Sequence, residues 1–519
     1  MTGHFHLTFL LLLAVPTAIS SYKILFVPLI SGFNSRFLNL QKLADTLAQD
    51  GHDVTVLTNT RVSEHTITKY AKTIEFFVPE EISDIGDVEK TKPSILNIFS
   101  LFNEMIEKEQ MFYKALMKDR ATLEKIRDTK FDLIFGDVAT PLTNLLVAHL
   151  DITTILYHNV LIPTDVSMFM PLTPSITCTM PGMTCSHHNM DFKGRVLNMI
   201  GHLGINIFFQ YTLNAAQQHA EELDFSLHMP LYDVFKNKVT IINANYVLDM
   251  PLPTMPHVFP ISGLYHKEPS PLNEEFSDII KSSQPHGVIL LSFGTLMSDF
   301  DAKKADLLAR VLGRLPQSVI WRFTGQAPKS LKPNTHLVKW FPQNDLLANP
   351  AVKLFITHCG ISSTFESAFH GVPVVAVPLF ADQEDNADKL VKRAEIGKKI
   401  DFYSLTEEQL EQAIKEVLNN PKYKENTKKT SYLLNNHLVS PRQQLRHLVN
   451  FTIESGGAPH LFHPYAVDMN WFQFHSLDVI LFILVIFSAV VYLWFFICRF
   501  LFRFVRKNIL ATKTKEKAM

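Results

Sequence analysis

The chain has almost no charge of one sign to spare. Its 49 Lys and Arg residues face 50 Asp and Glu residues, a net charge of −1 over 519 residues. That balance excludes the basic footprint with which proteins grip nucleic acid. No G-x-G-x-x-G run and no P-loop run occurs. An oxidoreductase built on the dinucleotide fingerprint is therefore a distant reading. Cysteine is scarce, with four residues. Cys178 and Cys185 share the short run TCTMPGMTC, near enough for a local disulfide that spacing alone does not establish. Cys498 stands at the edge of an apolar segment. Histidine is missing between His6 and His52, a gap that matters below.

Length sets a soft expectation of about three domains. Two segments carry much of the apolar excess. Residues 5–15, inside MTGHFHLTFLLLLAVPTAIS, have the length of a signal-peptide core. Small residues follow, and Ala18 and Ser20 fit a cleavage after Ser20, so 1–20 reads as a signal peptide. Residues 479–498, VILFILVIFSAVVYLWFFIC, carry no charge. As a helix this segment spans roughly 30 Å, the thickness of the hydrocarbon core. Arg499, Arg503, Arg506 and Lys507 follow it, so 499–519 reads as a cytosolic tail and the rest as lumenal, a single-pass type I arrangement. Lys515 and Lys517 near the end resemble a dilysine signal for retrieval to the endoplasmic reticulum membrane. The sequon Asn450-Phe451-Thr452 would then be open to glycosylation.

Between these ends the pattern is α/β. An apolar run at 24–28, an amphipathic helix at 37–49 closed by Gly51, and a second run at 54–57 make a βαβ opening. The alternation restarts at 288–293, followed by Gly294, and continues through strands at 319–323, 337–340, 353–357 and 374–377, with a helix at 362–370. Such alternation predicts two parallel sheets covered on both faces. Two Rossmann-like domains result, 21–264 and 276–470, joined by a polar, Pro-bearing linker at 265–275 (YHKEPSPLN over most of its length). Open α/β sheets bind ligands beyond the carboxyl ends of their strands, so a cleft between the halves is expected. The apolar stretch 192–211 is too mixed to span a bilayer. It fits a helix lying on a membrane, the lining of an apolar pocket, or a partly buried helix equally well.

The densest signal lies at 340–383. A strand ends at His358-Cys359-Gly360 and a helix begins at once, offering free N–H groups for a phosphate. The turn Ser292-Phe293-Gly294-Thr295 offers a second set. Taken alone, most turns of this kind bind nothing. The run FITHCGISSTFESAFHGVPVVAVPLFADQEDNA, however, resembles the signature of the UDP-glycosyltransferases, those of the animal UDP-glucuronosyltransferase kind in particular. WRFTGQAPKSLKPNTHLVKWFPQNDLLANP before it and NWFQFHSLDV near the apolar segment are similar to that family too. The resemblance implies the GT-B fold, a UDP-sugar as donor co-substrate, a small lipophilic acceptor, and no bound cofactor or metal. It is compatible with an oligomer of this chain or with related transferases.

The resemblance also implies roles. Trp340 would stack on uracil, Gln343 would reach the ribose, and Glu366 would accept from the ribose hydroxyls. His358, Thr295 and the backbone around Ser292, Gly294 and Gly360 would hold the diphosphate. Asp382 and Gln383 would bind the sugar. Cys359 stands where the family has Gly, so crowding of the phosphate turn is expected. On the acceptor side the family uses a His as general base, held by an Asp, with inversion at the anomeric carbon. Asp137, in FDLIFGD, matches the Asp. Arg36, in SRFLN, stands in place of the His and cannot take a proton; an ion pair with Asp137 is expected instead. Three readings follow. The chain transfers hexose in an EC 2.4.1-type reaction to nucleophiles that need no base. Or Asp137 or water takes the proton at reduced rate. Or the chain is a weak or inactive UDP-sugar-binding relative acting through partners. The first two together are preferred, because the donor motif is complete apart from Cys359.

Overall fold

The computed structural model describes residues 21–29, 34–60, 68–79, 95–159, 190–236, 238–251, 254–264, 268–294, 297–380, 382–462 and 469–516. The expected signal peptide, Cys178, Cys185, Thr295, Lys517 and residues 265–267 of the expected linker lie outside them. Two compact units divide the chain, Met1–Leu461 and Phe462–Met519.

The first unit opens with β1 (Lys23–Val27), α1 (Asn34–Gln49), β2 (Asp53–Asn59), β3 (Lys72–Phe76), α2 (Ile95–Lys118), α3 (Arg120–Thr129), β4 (Leu133–Asp137), α4 (Pro141–Leu150), β5 (Thr154–His158), α5 (Phe192–Glu222), β6 (Val239–Ile242) and β7 (Val258–Pro260). These strands form one parallel sheet in the order β3-β2-β1-β4-β5-β6-β7. Strand β1 shows why it forms. Ile24 to Val27 are apolar without a break and fully buried, as a parallel strand covered on both faces requires. Leu25 and Val27 face a cluster with α2, α4 and α5, while Ile24 and Phe26 face one with α1. Gly51 ends the turn after α1 at φ +97°, a backbone value that a side chain would strain.

The second sheet is built from α6 (Glu274–Ser282), β8 (Val288–Ser292), α7 (Ala302–Leu312), β9 (Ser318–Arg322), β10 (Thr335–Val338), α8 (Gln343–Leu347), β11 (Val352–Thr357), α9 (Ile361–Phe369), β12 (Val374–Ala376), α10 (Gln383–Asp388), β13 (Gly397–Lys399), α11 (Glu407–Asn419) and α12 (Pro421–Asn435). Its order, β10-β9-β8-β11-β12-β13, is again all parallel. Ile289 and Leu291 pack toward α7 and α11, and Val288 and Leu290 toward α6 and α9.

The last helix of the unit, α13 (Pro441–Glu454), returns to the first sheet. Leu445, Leu448 and Val449 join the cluster of Ile24, Phe26 and Leu47. Burying such side chains contributes roughly 1.5–3 kcal/mol each. Arg442 pairs with Asp50 at 2.7 Å, and the Tyr22 hydroxyl donates to Glu454 at 3.0 Å.

The second unit contains α14 (Trp471–Phe474) and α15 (Leu477–Glu516). Residues Leu477–Lys507 of α15 include an 18-residue window with a mean hydropathy of 2.9, and the segment is long and apolar enough to cross a bilayer. The helix runs well past the uncharged 479–498, because Arg and Lys are good helix formers and no Gly or Pro interrupts it.

Candidate active site

Each sheet has one point where strand order reverses: between β1 and β4 in the first, between β8 and β11 in the second. Ligands bind open α/β sheets at these switch points, because the two outgoing chains part there and leave a crevice. Among the described residues, Arg36 and Asp137 lie at the first and Ser292, Gly294, His358 and Gly360 at the second, while Trp340 follows the edge strand β10.

At the first, Arg36 occupies the opening turn of α1 and Asp137 ends β4. The guanidinium binds the carboxylate through two contacts, Nε to Oδ2 at 3.1 Å and Nη2 to Oδ1 at 2.6 Å. The Ala139 amide donates to Oδ1 as well, at 2.9 Å. The Asp137 side chain has no exposure, so its charge is compensated here rather than by water. Arg36 keeps 18% of its side chain open. A cation at a helix N-terminus is electrostatically unfavourable, which makes the carboxylate its natural counterweight.

At the second, the imidazole of His358 is wedged between two glycine turns. Gly294 has φ +81°, and a Cβ there would lie 2.5 Å from His358 Nε2. A Cβ at Gly360 would lie 2.6 Å from the same atom. Glycine is thus needed at both positions for the ring to fit. Ser292 accepts through Oγ from the Gly294 amide at 3.3 Å. Burial pushes His358 down to about 4, the charge of Arg322 acts in the same direction, and the Ser292 carbonyl opposes them. The ring is therefore neutral at pH 7, and its Nδ1 is buried without a hydrogen-bond partner.

Cys359 does not crowd the turn. It adopts φ +63° and turns its fully buried side chain into the core cluster beneath α9. Its amide donates to Thr357 Oγ1 at 3.1 Å, and burial raises the thiol well above its usual range. The cost is a left-handed backbone at a residue with a Cβ, about 1–2 kcal/mol. Gly360 then caps α9 without a side-chain hydrogen bond, leaving the first N–H groups of the helix for a ligand.

Gln343, at the start of α8, donates to Glu366 Oε2 at 2.6 Å and lies 3.1 Å from Ser363 Oγ. Burial raises the Glu366 carboxyl, against the charge of Lys42 and the Gln343 hydrogen bond. Trp340 was expected to close a strand; β10 instead stops at Val338, since it is an edge strand paired with β9 alone. The indole projects with 60% exposure over the Arg322 guanidinium, 4.4 Å from its ring centre. Asp382 accepts from Asn386 Nδ2 at 2.7 Å, and burial raises its pKa. Gln383 uses its carbonyl within its own loop, accepting from the Leu379 and Phe380 amides at 2.9 and 3.2 Å.

The two switch points meet through α1. Asn39 Nδ2 lies 3.3 Å from Ser362 Oγ in the first turn of α9. The charge of Lys42 acts on Glu366, and that of Arg36 on Asp382. Two features had no readable signal. Arg322 is just a basic residue in a strand until Trp340 is seen over it. Lys389 pairs with the buried Asp249 at 2.7 Å, tying a turn of the first half beside Asp382.

A family model described as "UDP-glucoronosyl and UDP-glucosyl transferase" matches residues 23–512. UDP-glucuronosyltransferase 1-2 of Mus musculus is 33% identical over 95% of this chain and 93% of its own length. UDP-glucuronosyltransferase 1A3 of Homo sapiens is 33% identical over 95% and 94%. Among solved structures, the glycotransferase of kitacinnamycin aligns with a TM-score of 0.59 at 16% identity, over 84% of this chain and all of its own. A UDP-glucosyltransferase from Polygonum tinctorium gives 0.58 at 17%, over 85% and all of its own. These structural neighbours share the GT-B fold. Nearly full-length family coverage and relatives above 30% identity carry the remaining step: this chain belongs to the UDP-glucuronosyl and UDP-glucosyl transferase family.

Proposed function

We propose that this chain transfers a hexosyl group, glucuronosyl or another hexose, from a UDP-sugar to small lipophilic acceptors by direct inverting displacement. Residues 21–264 bind the acceptor and 276–470 the donor. Trp340 stacks on the uracil, Gln343 and Glu366 bind the ribose, His358 and the turns at Ser292, Gly294, Thr295 and Gly360 hold the diphosphate, and Asp382 with Gln383 holds the sugar. What supports this reading is the set of Ser292, Gly294, His358 and Gly360 at the switch point of the second sheet, with Asn39 of α1 against the first turn of α9. The protein acts as a single-pass type I protein of the endoplasmic reticulum membrane, with both halves lumenal.

On the acceptor side, Arg36 and Asp137 form an ion pair at the place of the family's proton-accepting His. The pair favours nucleophiles with a lone pair that needs no prior deprotonation, such as amines and carboxylates. It equally supports a second reading, in which the chain binds UDP-sugars and transfers them slowly or not at all. Membranes containing the protein, incubated with UDP-glucuronate, UDP-glucose, UDP-galactose or UDP-N-acetylglucosamine and a mixed acceptor set, separate the two. Transfer from at least one donor supports the first. UDP-sugar binding without transfer supports the second.

A further inference from the structure

A polar stripe runs along α10 and the wider turn that continues it, Lys389–Arg393. Asp382, Asn386, Lys389 and Arg393 follow one another at spacings of four, three and four, which places them on one side. Beyond Asp382 and Asn386, that side meets a turn of the first half, residues 245–250. Arg393 donates to the Tyr246 carbonyl at 2.6 Å and to the Val247 carbonyl at 3.3 Å. Lys389 pairs with Asp249 at 2.7 Å, and the two side chains are 10% and 1% exposed. The turn is braced within itself. Asp249 accepts from the Asn245 amide at 2.7 Å, and Asn245 accepts from the Val247 amide at 2.9 Å and donates to Ser262 Oγ at 2.9 Å.

Stability alone does not account for an ion pair this deep. Desolvating two ions offsets much of their attraction, and an apolar pair of similar volume would hold the two halves as well. An apolar pair would lack a charge beside Asp382. Burial works against the Lys389 ammonium, and the carboxylates of Asp249, Asp385 and Asp382 more than offset it, so the cation persists. Asn386 stands between Lys389 and Asp382 and is fully buried. Its Nδ2 donates to Asp382 Oδ2 at 2.7 Å, while its Oδ1 has no hydrogen-bond partner among the described residues. A buried oxygen without a partner is costly, and a cation one turn away offsets that cost. We propose that Lys389 is a positioning residue of the sugar site: paired with Asp249 of the first half, it sets the orientation of Asn386 and, through it, the carboxylate of Asp382. This rests on the proposed role of Asp382 in holding the donor sugar. The sugar site of the second half is then complete only with the turn at 245–250 docked against it.

The test is calorimetric titration of the full-length protein with UDP and, separately, with UDP-glucuronate, UDP-glucose, UDP-galactose and UDP-N-acetylglucosamine, with thermal unfolding followed in parallel. Lys389→Met combined with Asp249→Asn removes both charges together, so neither ion is left buried alone. The Kd of the tightest UDP-sugar should rise about tenfold or more, while that of UDP stays within about twofold and unfolding stays near the parent's. Asn386→Ala, which leaves the ion pair in place, should give the same split. Lys389→Arg, which keeps the cation, should retain most of the affinity. Asp382→Ala is the reference. If it weakens the UDP-sugar and neither the double variant nor Asn386→Ala does, Lys389 does not position Asp382, and the sugar role of Asp382 stands. If Asp382→Ala itself leaves every UDP-sugar bound as in the parent, that role fails and this inference with it. Equal weakening of UDP and the UDP-sugars in the folded double variant overturns the inference too, and leaves the pair a structural clamp between the halves.

Discussion

Arg36→His exchanges a guanidinium that stays protonated for an imidazole that accepts a proton. The site is already furnished for it. Asp137 has no exposure, ends β4 beside α1 and is held by the Ala139 amide. The imidazole inherits one of the two hydrogen bonds that Arg36 makes. Removing a buried ion's partner outright costs about 3–5 kcal/mol, so Arg36→Ala should be the less stable variant. Arg36→His keeps part of the compensation and should cost about 2 kcal/mol. Against that stands catalytic assistance. A positioned base is worth roughly 10²–10⁴-fold toward a hydroxyl acceptor, or about 3–5 kcal/mol of barrier. The assay is UDP release with a simple phenol and an arylamine, using reconstituted full-length protein across pH 5 to 9. The variant should gain at least about a hundredfold in kcat/KM for the phenol, with a rising limb near an ordinary His pKa of about 6.5. The arylamine should change little. The reasoning fails if the parent already glycosylates the phenol as fast as the variant, or if Asp137→Ala leaves the gain intact.

Further outcomes follow from the same geometry. Trp340→Ala removes an exposed indole stacked on Arg322, so it should weaken UDP binding by about 1–3 kcal/mol while thermal unfolding stays put, as read by calorimetry. His358 and His257 are both held near 4 by burial, below the ordinary 6.5 of the unfolded chain. The unfolded state then binds more protons between those values. Stability is full above about pH 6.5 and falls as pH drops toward 4, on the order of 3 kcal/mol for each ring. His257→Asn should flatten the pH dependence of the unfolding midpoint; an unchanged slope contradicts the assignment. Replacing Lys515 and Lys517 by Ser should release the protein from the endoplasmic reticulum and, if Asn450 is modified, let its glycan mature to resistance against endoglycosidase H; unchanged retention shows that the tail is not the signal.

The strands at the centre of each sheet were legible because burial on both faces forces unbroken apolar runs. The expected 24–28, 288–293 and 353–357 match β1, β8 and β11 to within a residue at each end. Edges were less legible. The expected 337–340 became Thr335–Val338, since an edge strand has no second neighbour to fix its end. The return of α13 to the first sheet could not be seen, because Leu445, Leu448 and Val449 form a helical stripe that fits any apolar face. Site chemistry was readable where the backbone is special. Gly294 and Gly360 are glycines because His358 leaves no room for a Cβ. It was unreadable where meaning comes from a distant partner, as with Arg322 under Trp340 and Lys389 beside Asp249. Crowding expected from Cys359 did not materialise, because a left-handed backbone carries the thiol into the core.

The proposed UDP site is built around Glu366. Its most direct test is calorimetric titration of the full-length protein and of Glu366→Ala with UDP, with thermal unfolding of each followed in parallel. The Glu366 carboxyl accepts a 2.6 Å hydrogen bond from Gln343, and the proposed role has it accept from a ribose hydroxyl as well. The parent should bind UDP, and the variant should bind it more weakly by about 1.5–3 kcal/mol, roughly ten- to a hundredfold in Kd, at comparable thermal stability. A parent that does not bind UDP, or a folded Glu366→Ala protein that binds it as tightly as the parent, contradicts the account.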